Sequence, residues 1–256
     1  MFYYLIHIQY LGFRYHGWAK QPKIKTVHHM IDRSINYVFG GEKKFKTLGS
    51  SKTDAMVSAN HAVFELFVHE ELDKETFMKE LNPNLPSDIR VLKIEETDAT
   101  FNVIQHPKLK EYSYLFSFGE KPHPFCASLM SYFAFELDIE LMKKAAPMFE
   151  GKHNFVKYCY KPSVGVDFER EVYKSELVEN TVYTANFFPE QSFAFNVHGK
   201  GFMRHQIRLM MGQLISLGKG ETTLEEFRSS IYNPTGSYFK FAAPASGLIL
   251  HHIQFE

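Results

Sequence analysis

Apolar and polar residues alternate along several segments of the chain, which is the pattern of half-buried β-strands. Residues 2–9 show it most clearly, because every second residue from Phe2 to Ile8 is apolar or aromatic. Each of these runs is short enough for a single strand. The same alternation predicts further strands at or near residues 61–68, 89–94, 112–118, 170–179, 191–198 and 247–255.

Helical spacing separates these strands. Thr26 precedes apolar residues that recur every three or four positions until Gly40-Gly41, so we expect a helix capped by Thr26. Asp73 caps a short helix that reaches Leu81, and the two prolines of residues 82–86 predict a loop. Further helices are predicted for residues 138–149 and 202–217, and after Thr222 or Thr223, where Glu225 or Glu226 completes a capping box.

The order of these elements indicates the fold class. Strands that can form hairpins are mixed with helices, and the pattern starts afresh after about residue 105. We therefore expect an α+β fold with two similar halves, each an antiparallel sheet flanked by helices. The predicted halves are residues 1–104 and 105–256.

Composition limits the class of protein. Hydrophobic residues make up 45% of the 256 residues, which is enough for a sizeable core. No apolar run is long enough to cross a bilayer, and the first residues lack the pattern of a secretory leader. The two cysteines have no metal-type spacing, as is usual in a reducing compartment. We expect a soluble cytoplasmic protein.

The formal net charge is zero, but the charge is unevenly distributed. Residues 1–60 carry nine Lys/Arg and three Asp/Glu, giving +6, whereas residues 61–100 carry four and ten, giving −6. Salt screens charges beyond about 8–10 Å, so a local basic face matters more to a phosphate than the distant balance. Charge alone nevertheless favours an ordinary solvated surface.

Sequence signatures of metals and cofactors are absent. The chain contains no His-x-x-x-His or Cys-x-x-Cys spacing, so we expect no catalytic metal. It also contains no Gly-x-Gly-x-x-Gly and no phosphate-binding Gly-Lys-Ser/Thr loop. We therefore expect no nucleotide cofactor.

A polar loop between two predicted strands contains Asp54, preceded by Lys52 and Thr53. A neighbouring lysine favours the ionised form of a carboxyl group, as a carboxylate nucleophile requires. Asp54 can equally cap a short turn over residues 55–60. The loop taken alone favours the cap.

Two further positions combine polarity with an apolar setting. Tyr112 shares a strand face with other aromatic residues, so both core packing and base stacking fit it. Arg204 and Arg208 flank the apolar stripe of the predicted 202–217 helix, one turn apart. Such arginines either extend to solvent, or line a cleft and pair with a carboxylate or phosphate.

Eight segments, taken in order, resemble the TruA family of tRNA pseudouridine synthases. Residues 10–18 resemble its Tyr-x-Gly-x-x-Tyr-x-Gly-Trp segment. Residues 51–59 match its catalytic Gly-Arg-Thr-Asp-x-Gly-Val-His-Ala motif at the threonine, aspartate, valine and last alanine. The other matching segments are Thr26-Val27 and residues 81–89, 110–114, 151–155, 201–212 and 243–248.

The resemblance implies roles for the polar residues. Asp54 would be the catalytic nucleophile, Tyr112 would stack on the target uracil, and Arg208 would pair with the Asp54 carboxylate. The implied protein is a homodimer without metal or cofactor, whose halves meet at a central basic cleft and whose target is uridine of the tRNA anticodon stem-loop. Lys52 would contact the substrate, and further RNA contacts are expected from Arg14, Lys20, Lys110 and Arg204.

The chain departs from the family pattern where RNA is expected to bind. Lys52 replaces an arginine and so lacks the planar head that binds in a bidentate way. Ser51 and Met56 replace glycines, and Ile104 replaces another arginine. These changes leave two alternatives, an RNA-binding protein of this fold with weak or lost catalysis and an enzyme acting on a different RNA. A third, an interaction protein unrelated to RNA, fits only the zero net charge.

Overall fold

The computed structural model describes residues 1–255. These residues form ten strands and five α-helices, grouped in two compact units. In chain order the elements are β1 (Phe2–Tyr10), α1 (Val27–Val38), β2 (Phe45–Gly49), β3 (Ser58–Val68), α2 (Lys74–Asn84), β4 (Ile89–Thr97), β5 (Leu109–Phe118), β6 (Ser131–Phe133), α3 (Ile139–Ala145), β7 (Gly151–Asn154), β8 (Glu169–Glu179), β9 (Phe193–Gly199), α4 (Gln206–Gly218), α5 (Leu224–Tyr232) and β10 (Leu248–Gln254).

The two units follow the chain except at its end. The first comprises Met1–Lys108 together with the chain from Leu250 onward, and the second comprises Leu109–Ile249. The division expected from the sequence, between residues 104 and 105, assigned the last strand to the second half. In the structure most of β10 belongs to the first unit, where it lies beside β3.

The first unit is built on strands in the order β4-β1-β3-β10, and β2 pairs with the second half of β3. β1 is antiparallel to both of its neighbours. Tyr4, Ile6 and Ile8 are buried, as the alternation of the sequence predicts. α1 begins after Thr26, whose side chain accepts the His29 N–H, so the predicted cap is confirmed.

Helix α2 is longer than the sequence predicts. Residues 82–86 were expected to form a loop, yet α2 continues to Asn84 with Pro83 in its last turn. A proline at this place removes a single helical N–H. Asn82 fixes the turn, because its side chain accepts the Val91 N–H at 2.7 Å and donates to the Val91 carbonyl at 3.1 Å. The predicted loop therefore began three residues too early.

The second unit has strands in the order β5-β9-β8-β7, each antiparallel to its neighbour, and β6 adds to β5 in parallel. The helix predicted for residues 138–149 is α3 followed by a 3-10 turn over Ala146–Phe149. The predicted capping box is confirmed at Thr223 and Glu226, which open α5. The sequence did not predict β2, β6 and β7, which are too short to show clear alternation.

Helix α4 begins at Gln206, four residues later than predicted. His205 has a left-handed backbone, with φ of 60°, through which a right-handed helix cannot continue. The Gln206 side chain instead accepts the Met203 N–H at 2.9 Å and closes the turn. Arg204 therefore lies outside the helix, and the predicted spacing of one helical turn from Arg208 is wrong.

Candidate functional site

Asp54 lies half-buried in the loop between β2 and β3. Main-chain hydrogen bonds tie this loop to the segment that follows β1. The Trp18 N–H donates to the Thr53 carbonyl at 3.0 Å. The Met56 N–H donates to the Tyr15 carbonyl, also at 3.0 Å. The backbone is therefore held on both sides of Asp54 by the same segment.

Two glycines let that segment approach the loop closely. A Cβ on Gly12 would lie 1.9 Å from the Val57 carbonyl oxygen, and one on Gly17 would lie 2.7 Å from the Thr53 carbonyl oxygen. Gly17 also has φ of 89°, which side chains rarely adopt. The Tyr10 phenol adds a hydrogen bond of 2.8 Å to the Thr53 hydroxyl. Backbone thus packs directly against backbone around the candidate nucleophile.

The chain after Asp54 makes a tight turn and not a helix. The Asp54 carbonyl accepts the Val57 N–H at 3.2 Å, and Ser58 already begins β3. The expected turn over residues 55–60 is therefore wrong in its extent, since it ends before Ser58. Met56 has φ of 67°, a backbone that glycine adopts without strain and that explains the glycine of the family motif.

Two predicted RNA contacts in the first unit are engaged in ion pairs. Arg14 donates to Asp88 at 2.8 Å, and Lys20 pairs with Asp32. Asp88 also accepts the Tyr15 phenol at 2.5 Å. Burial acts to raise the pKa of Asp88, but the hydrogen bonds from Arg14 and Tyr15 outweigh it and lower that pKa. Asp88 thereby anchors the segment that holds the Asp54 loop.

Tyr112 lies half-buried on β5, opposite Val197 of β9. Its ring meets Phe202 edge-on, with ring centroids 5.5 Å apart and planes at 88°. Tyr114, two residues further along, has its side chain on the same strand face and is fully buried. Tyr112 is therefore the more accessible of the two rings, as a base-stacking role requires.

Arg208 lies half-buried in the first turn of α4. Its Nε–H donates to the Ala243 carbonyl at 2.8 Å, and the Ala243 N–H donates to the Arg208 carbonyl at 2.9 Å. Tyr114 supports the same segment. Its phenol donates to the Pro244 carbonyl at 2.8 Å and lies 2.9 Å from the Ser131 hydroxyl. The orientation of the guanidinium plane is thus set by buried neighbours.

The sequence had not assigned a role to Tyr114. Burial raises the pKa of its phenol above the usual value, while the positive charge of Arg208 acts against this rise. Gly247 lets the chain close over it, because a Cβ there would lie 2.6 Å from the Leu115 carbonyl oxygen. Two features of the sequence could have indicated this role, namely Tyr114 as the second tyrosine of the 110–114 motif and Gly247 as the glycine of the 243–248 motif.

Two other predicted RNA contacts lie in the second unit. Lys110 precedes Tyr112 on the same face of β5, and burial lowers the pKa of Lys110 to about 8. Arg204 is exposed, with its Cζ 5.5 Å from the centre of the Tyr160 ring. Arg204 therefore lacks the helical setting that the sequence suggested for it.

Each unit gathers part of the predicted site. In the first, Asp54 and the exposed Lys52 share one loop. In the second, Tyr112 shares a strand face with Tyr114, and the positive charge of Arg208 acts on the Tyr114 phenol. Among residues 1–255, no group of three or more His, Cys, Asp or Glu side chains is placed to hold a metal ion. None of the helices in the described chain combines the length and apolar character of a membrane span.

Comparison with known proteins points to one family. A family model for tRNA pseudouridine synthase matches residues 145–256. The chain is 30% identical over 252 residues to tRNA pseudouridine synthase A of Phytoplasma mali, covering 98% of each protein. It is 29% identical over 246 residues to tRNA pseudouridine synthase A of Clostridium botulinum, covering 96% of each. It is 29% identical over 253 residues to tRNA pseudouridine synthase A 2 of Bacillus cereus, covering 98% of this chain and 99% of that protein.

Proposed function

Because the chain belongs to the tRNA pseudouridine synthase A family, and is therefore an isomerase that converts uridine to pseudouridine in tRNA, we propose that Asp54 is its catalytic nucleophile. The similarity spans 98% of the chain. The observation that carries the proposal is the main-chain clamp on the Asp54 loop. The clamp fixes the backbone that carries one half-buried carboxylate, and a nucleophile must be held in position in this way.

The reaction determines what the site must supply. The N1–C1′ bond breaks, a C5–C1′ bond forms, the proton on C5 leaves and N1 gains a proton. No electrons are gained or lost, so the chemistry requires no redox cofactor. The enzyme must hold the base while it turns, and must provide a carboxylate and a group that moves a proton.

The Asp54 carboxylate can act in three ways. It can attack C6 of the base, attack C1′ of the sugar, or remove a proton from the sugar. Each requires the ionised form at neutral pH. Lys52 lies two residues away in the same loop.

We assign Tyr112 and Arg208 supporting roles. Tyr112 stacks on the uracil after the base has left its helix, and its phenol is a candidate to move a proton. Arg208 pairs with the Asp54 carboxylate and keeps it ionised. The hydrogen bond from Nε–H to Ala243 supports this assignment, since it restricts rotation of the planar head that a bidentate pair needs.

The substrate we propose is the anticodon stem-loop of tRNA, bound by a cytoplasmic homodimer. Base extrusion from a stem costs a few kcal/mol, so cations must hold the flanking phosphates. Lys52 and Lys110 are the lysines we assign to this task, because one is exposed beside Asp54 and the other precedes Tyr112 on its strand. Light scattering tests the dimer, and a monomer mass would contradict it.

Mapping pseudouridine across a complete tRNA pool, before and after incubation with the protein, tests the activity and the substrate together. We expect new pseudouridine in the anticodon stem-loop. Isolated stem-loop and acceptor-stem hairpins serve as matched substrates, and only the former should react. Modification confined to another RNA region would overturn the assignment of the stem-loop and leave the reaction standing.

Arg208→Lys and Arg208→Gln test the pairing. The lysine variant keeps the charge but loses the fork, so we expect it to recover only part of the turnover. Turnover of both variants equal to that of the unaltered chain would contradict the pairing. Tight, salt-sensitive tRNA binding with no turnover by the unaltered chain would favour the alternative of an RNA-binding protein, for which the replacements at Lys52 and Ile104 are the motive.

A further inference from the structure

A group of cations and aromatic rings lies on the second unit beside the start of α4. We call it the Tyr160 patch, and it consists of Tyr160, Lys161, Arg204, His205 and Tyr238. The Lys161 Nζ lies 5.3 Å and the Arg204 Cζ 5.5 Å from the centre of the Tyr160 ring. His205 stacks on that ring at 4.8 Å, and Tyr238 meets it edge-on at 5.8 Å. Two cationic side chains therefore lie close together around one aromatic ring at the surface.

The lysine and the arginine of the Tyr160 patch are not neutralised by acids. Within residues 1–255, neither Lys161 nor Arg204 has a carboxylate partner at ion-pair distance. Other lysines of the second unit do have such partners, as Lys152 has in Glu169. A second lysine and ring adjoin the patch, with the Lys157 Nζ 4.8 Å from the centre of the Phe239 ring. A lysine and an arginine without acidic partners attract a polyanion.

The chain conformation of the Tyr160 patch is unusual. Only four non-glycine residues in the described chain have positive φ, and two of them, Lys161 and His205, belong to the patch. A left-handed backbone is unfavourable for such residues, and strained positions of this kind cluster at functional sites. The Tyr160 N–H also donates to the Arg204 carbonyl at 3.1 Å, which ties the two segments of the patch together.

The Tyr160 patch is continuous with the proposed uracil site. The segment between β9 and α4 carries Phe202, whose ring packs on Tyr112. Arg204 and His205 of the same segment pack on Tyr160, and Arg208 follows in the first turn of α4. One short segment thus joins the residue assigned to stack on the base to the cations of the patch.

We propose that the Tyr160 patch binds backbone phosphates of the RNA strand that flanks the target uridine. This inference rests on the proposed function, because it takes the ligand to be the tRNA substrate. Lys161 and Arg204 contact the phosphates, and the Tyr160 ring holds both cations in place. The ring requires no hydroxyl for this task.

Binding of unmodified tRNA as a function of salt concentration tests the inference on the full chain. Each lost phosphate contact lowers the slope of log affinity against log salt by about 0.7–0.9. We therefore expect Lys161→Gln with Arg204→Gln to lower the slope by about 1.5 and the affinity at 150 mM salt by roughly ten-fold. Lys144→Gln, which removes an exposed lysine of α3, is the matched control and should leave both unchanged.

A second pair of variants separates the ring from the charge. Tyr160→Phe keeps the ring and should bind tRNA as the unaltered chain does, whereas Tyr160→Leu keeps every charge and should bind several-fold less tightly. Near-ultraviolet circular dichroism checks that each variant is folded. A salt slope unchanged in the double variant would overturn the inference, and so would reduced binding to phosphatidylserine vesicles with tRNA binding intact. Failure of the unaltered chain to form pseudouridine would instead contradict the proposed function, and the salt comparison would still decide the patch.

Discussion

The loop that carries Asp54 and the segment that carries Arg208 are held by different means. Around Asp54 the contacts are chiefly between backbones, through hydrogen bonds from Trp18 and Met56 and the close approach of Gly12. Two hydroxyl groups add to them, since the Tyr10 phenol bonds to Thr53 and the Ser58 hydroxyl accepts the Gly12 N–H at 2.9 Å. Around Arg208 the contacts include side chains, through the Nε–H bond to Ala243 and the buried phenol of Tyr114. A backbone clamp depends little on which side chains the loop carries.

This difference explains where the chain has diverged from the family pattern. Ser51 and Met56 occupy positions of glycines in the family motif, yet the loop keeps its clamp. Ser58, which stands where the motif has a histidine, accepts the Gly12 N–H at 2.9 Å and so contributes to the clamp. Tyr114 and Arg208 match the pattern, and each makes contacts that another side chain cannot reproduce. The replacements at Ser51 and Met56 therefore leave the main-chain hydrogen bonds of the clamp in place.

Gly12→Ala should break the backbone clamp and have the largest effect on stability. Its Cβ would overlap the Val57 carbonyl, and two backbone segments must move apart to admit it. We expect the free energy of unfolding in urea to fall by about 3 kcal/mol. Gly201→Ala is the control, since a Cβ there has nothing within 4 Å. Equal stability of the two variants would show that the clamp does not hold the loop.

Lys110 should give the second unit a distinct pH dependence. Its pKa of about 8 lies below the usual lysine value, so the unfolded chain binds more protons between pH 8 and 10, and the free energy of unfolding rises with pH across that window. Lys110→Met lacks this titration. The amount by which the free energy of unfolding of Lys110→Met exceeds that of the unaltered chain should therefore shrink by at most about 3 kcal/mol from pH 8 to 10.

Urea unfolding at several pH values measures this effect. Lys144→Met, at an exposed lysine, is the control and should follow the unaltered chain at every pH. Parallel curves for the unaltered chain and Lys110→Met would contradict the burial of the Lys110 ammonium group.

Tyr114→Phe should weaken the side-chain support of Arg208. The variant leaves the Pro244 carbonyl and the Ser131 hydroxyl without their buried partner, which costs about 2 kcal/mol of stability. Turnover should fall as well. A double-mutant cycle with Arg208→Gln checks the link, because residues that act as a unit are not additive. Additive losses would mean that Tyr114 does not act through Arg208.

Met56→Gly should give a small gain in stability, which tests the backbone strain in the Asp54 loop. Glycine relieves the left-handed backbone at this position, which is worth about 1 kcal/mol after its greater chain entropy is counted. Ala55→Gly, the adjacent residue without positive φ, should destabilise by about 0.5–1 kcal/mol. Guanidinium unfolding of the two variants should therefore shift in opposite directions, and shifts of the same sign would contradict the strain at Met56.

Long elements were predictable because their signals are local. The alternation of β1 and the caps of α1 and α5 depend only on residues close in sequence, and the structure confirms them. Pro83 misled the prediction, because the Asn82 side chain that fixes the last turn of α2 bonds to a residue of β4. The predicted start of α4 was wrong for a similar reason, since no neighbouring residue indicates that the backbone of His205 is left-handed.

The candidate site was predictable as a set of motifs but not as a geometry. Resemblance marked Asp54, Tyr112 and Arg208, whereas each residue alone fitted a cap, a core ring or a solvated cation. The backbone clamp was hidden, because Gly12 and Val57 lie 45 positions apart in the chain. The role of Tyr114 was hidden likewise, since its partner Pro244 lies 130 positions away.

The rate of pseudouridine formation by Asp54→Asn tests the central claim most directly. The substitution keeps the size of the side chain and removes its charge, so the clamped loop should stay folded and tRNA binding should persist. Under single-turnover conditions with saturating tRNA, we predict a loss of at least about 10³-fold relative to the unaltered chain. Asp98→Asn, at an exposed acid before the 99–108 segment, is the matched control and should react at the unaltered rate. A rate for Asp54→Asn within ten-fold of the unaltered chain would contradict its role as the nucleophile.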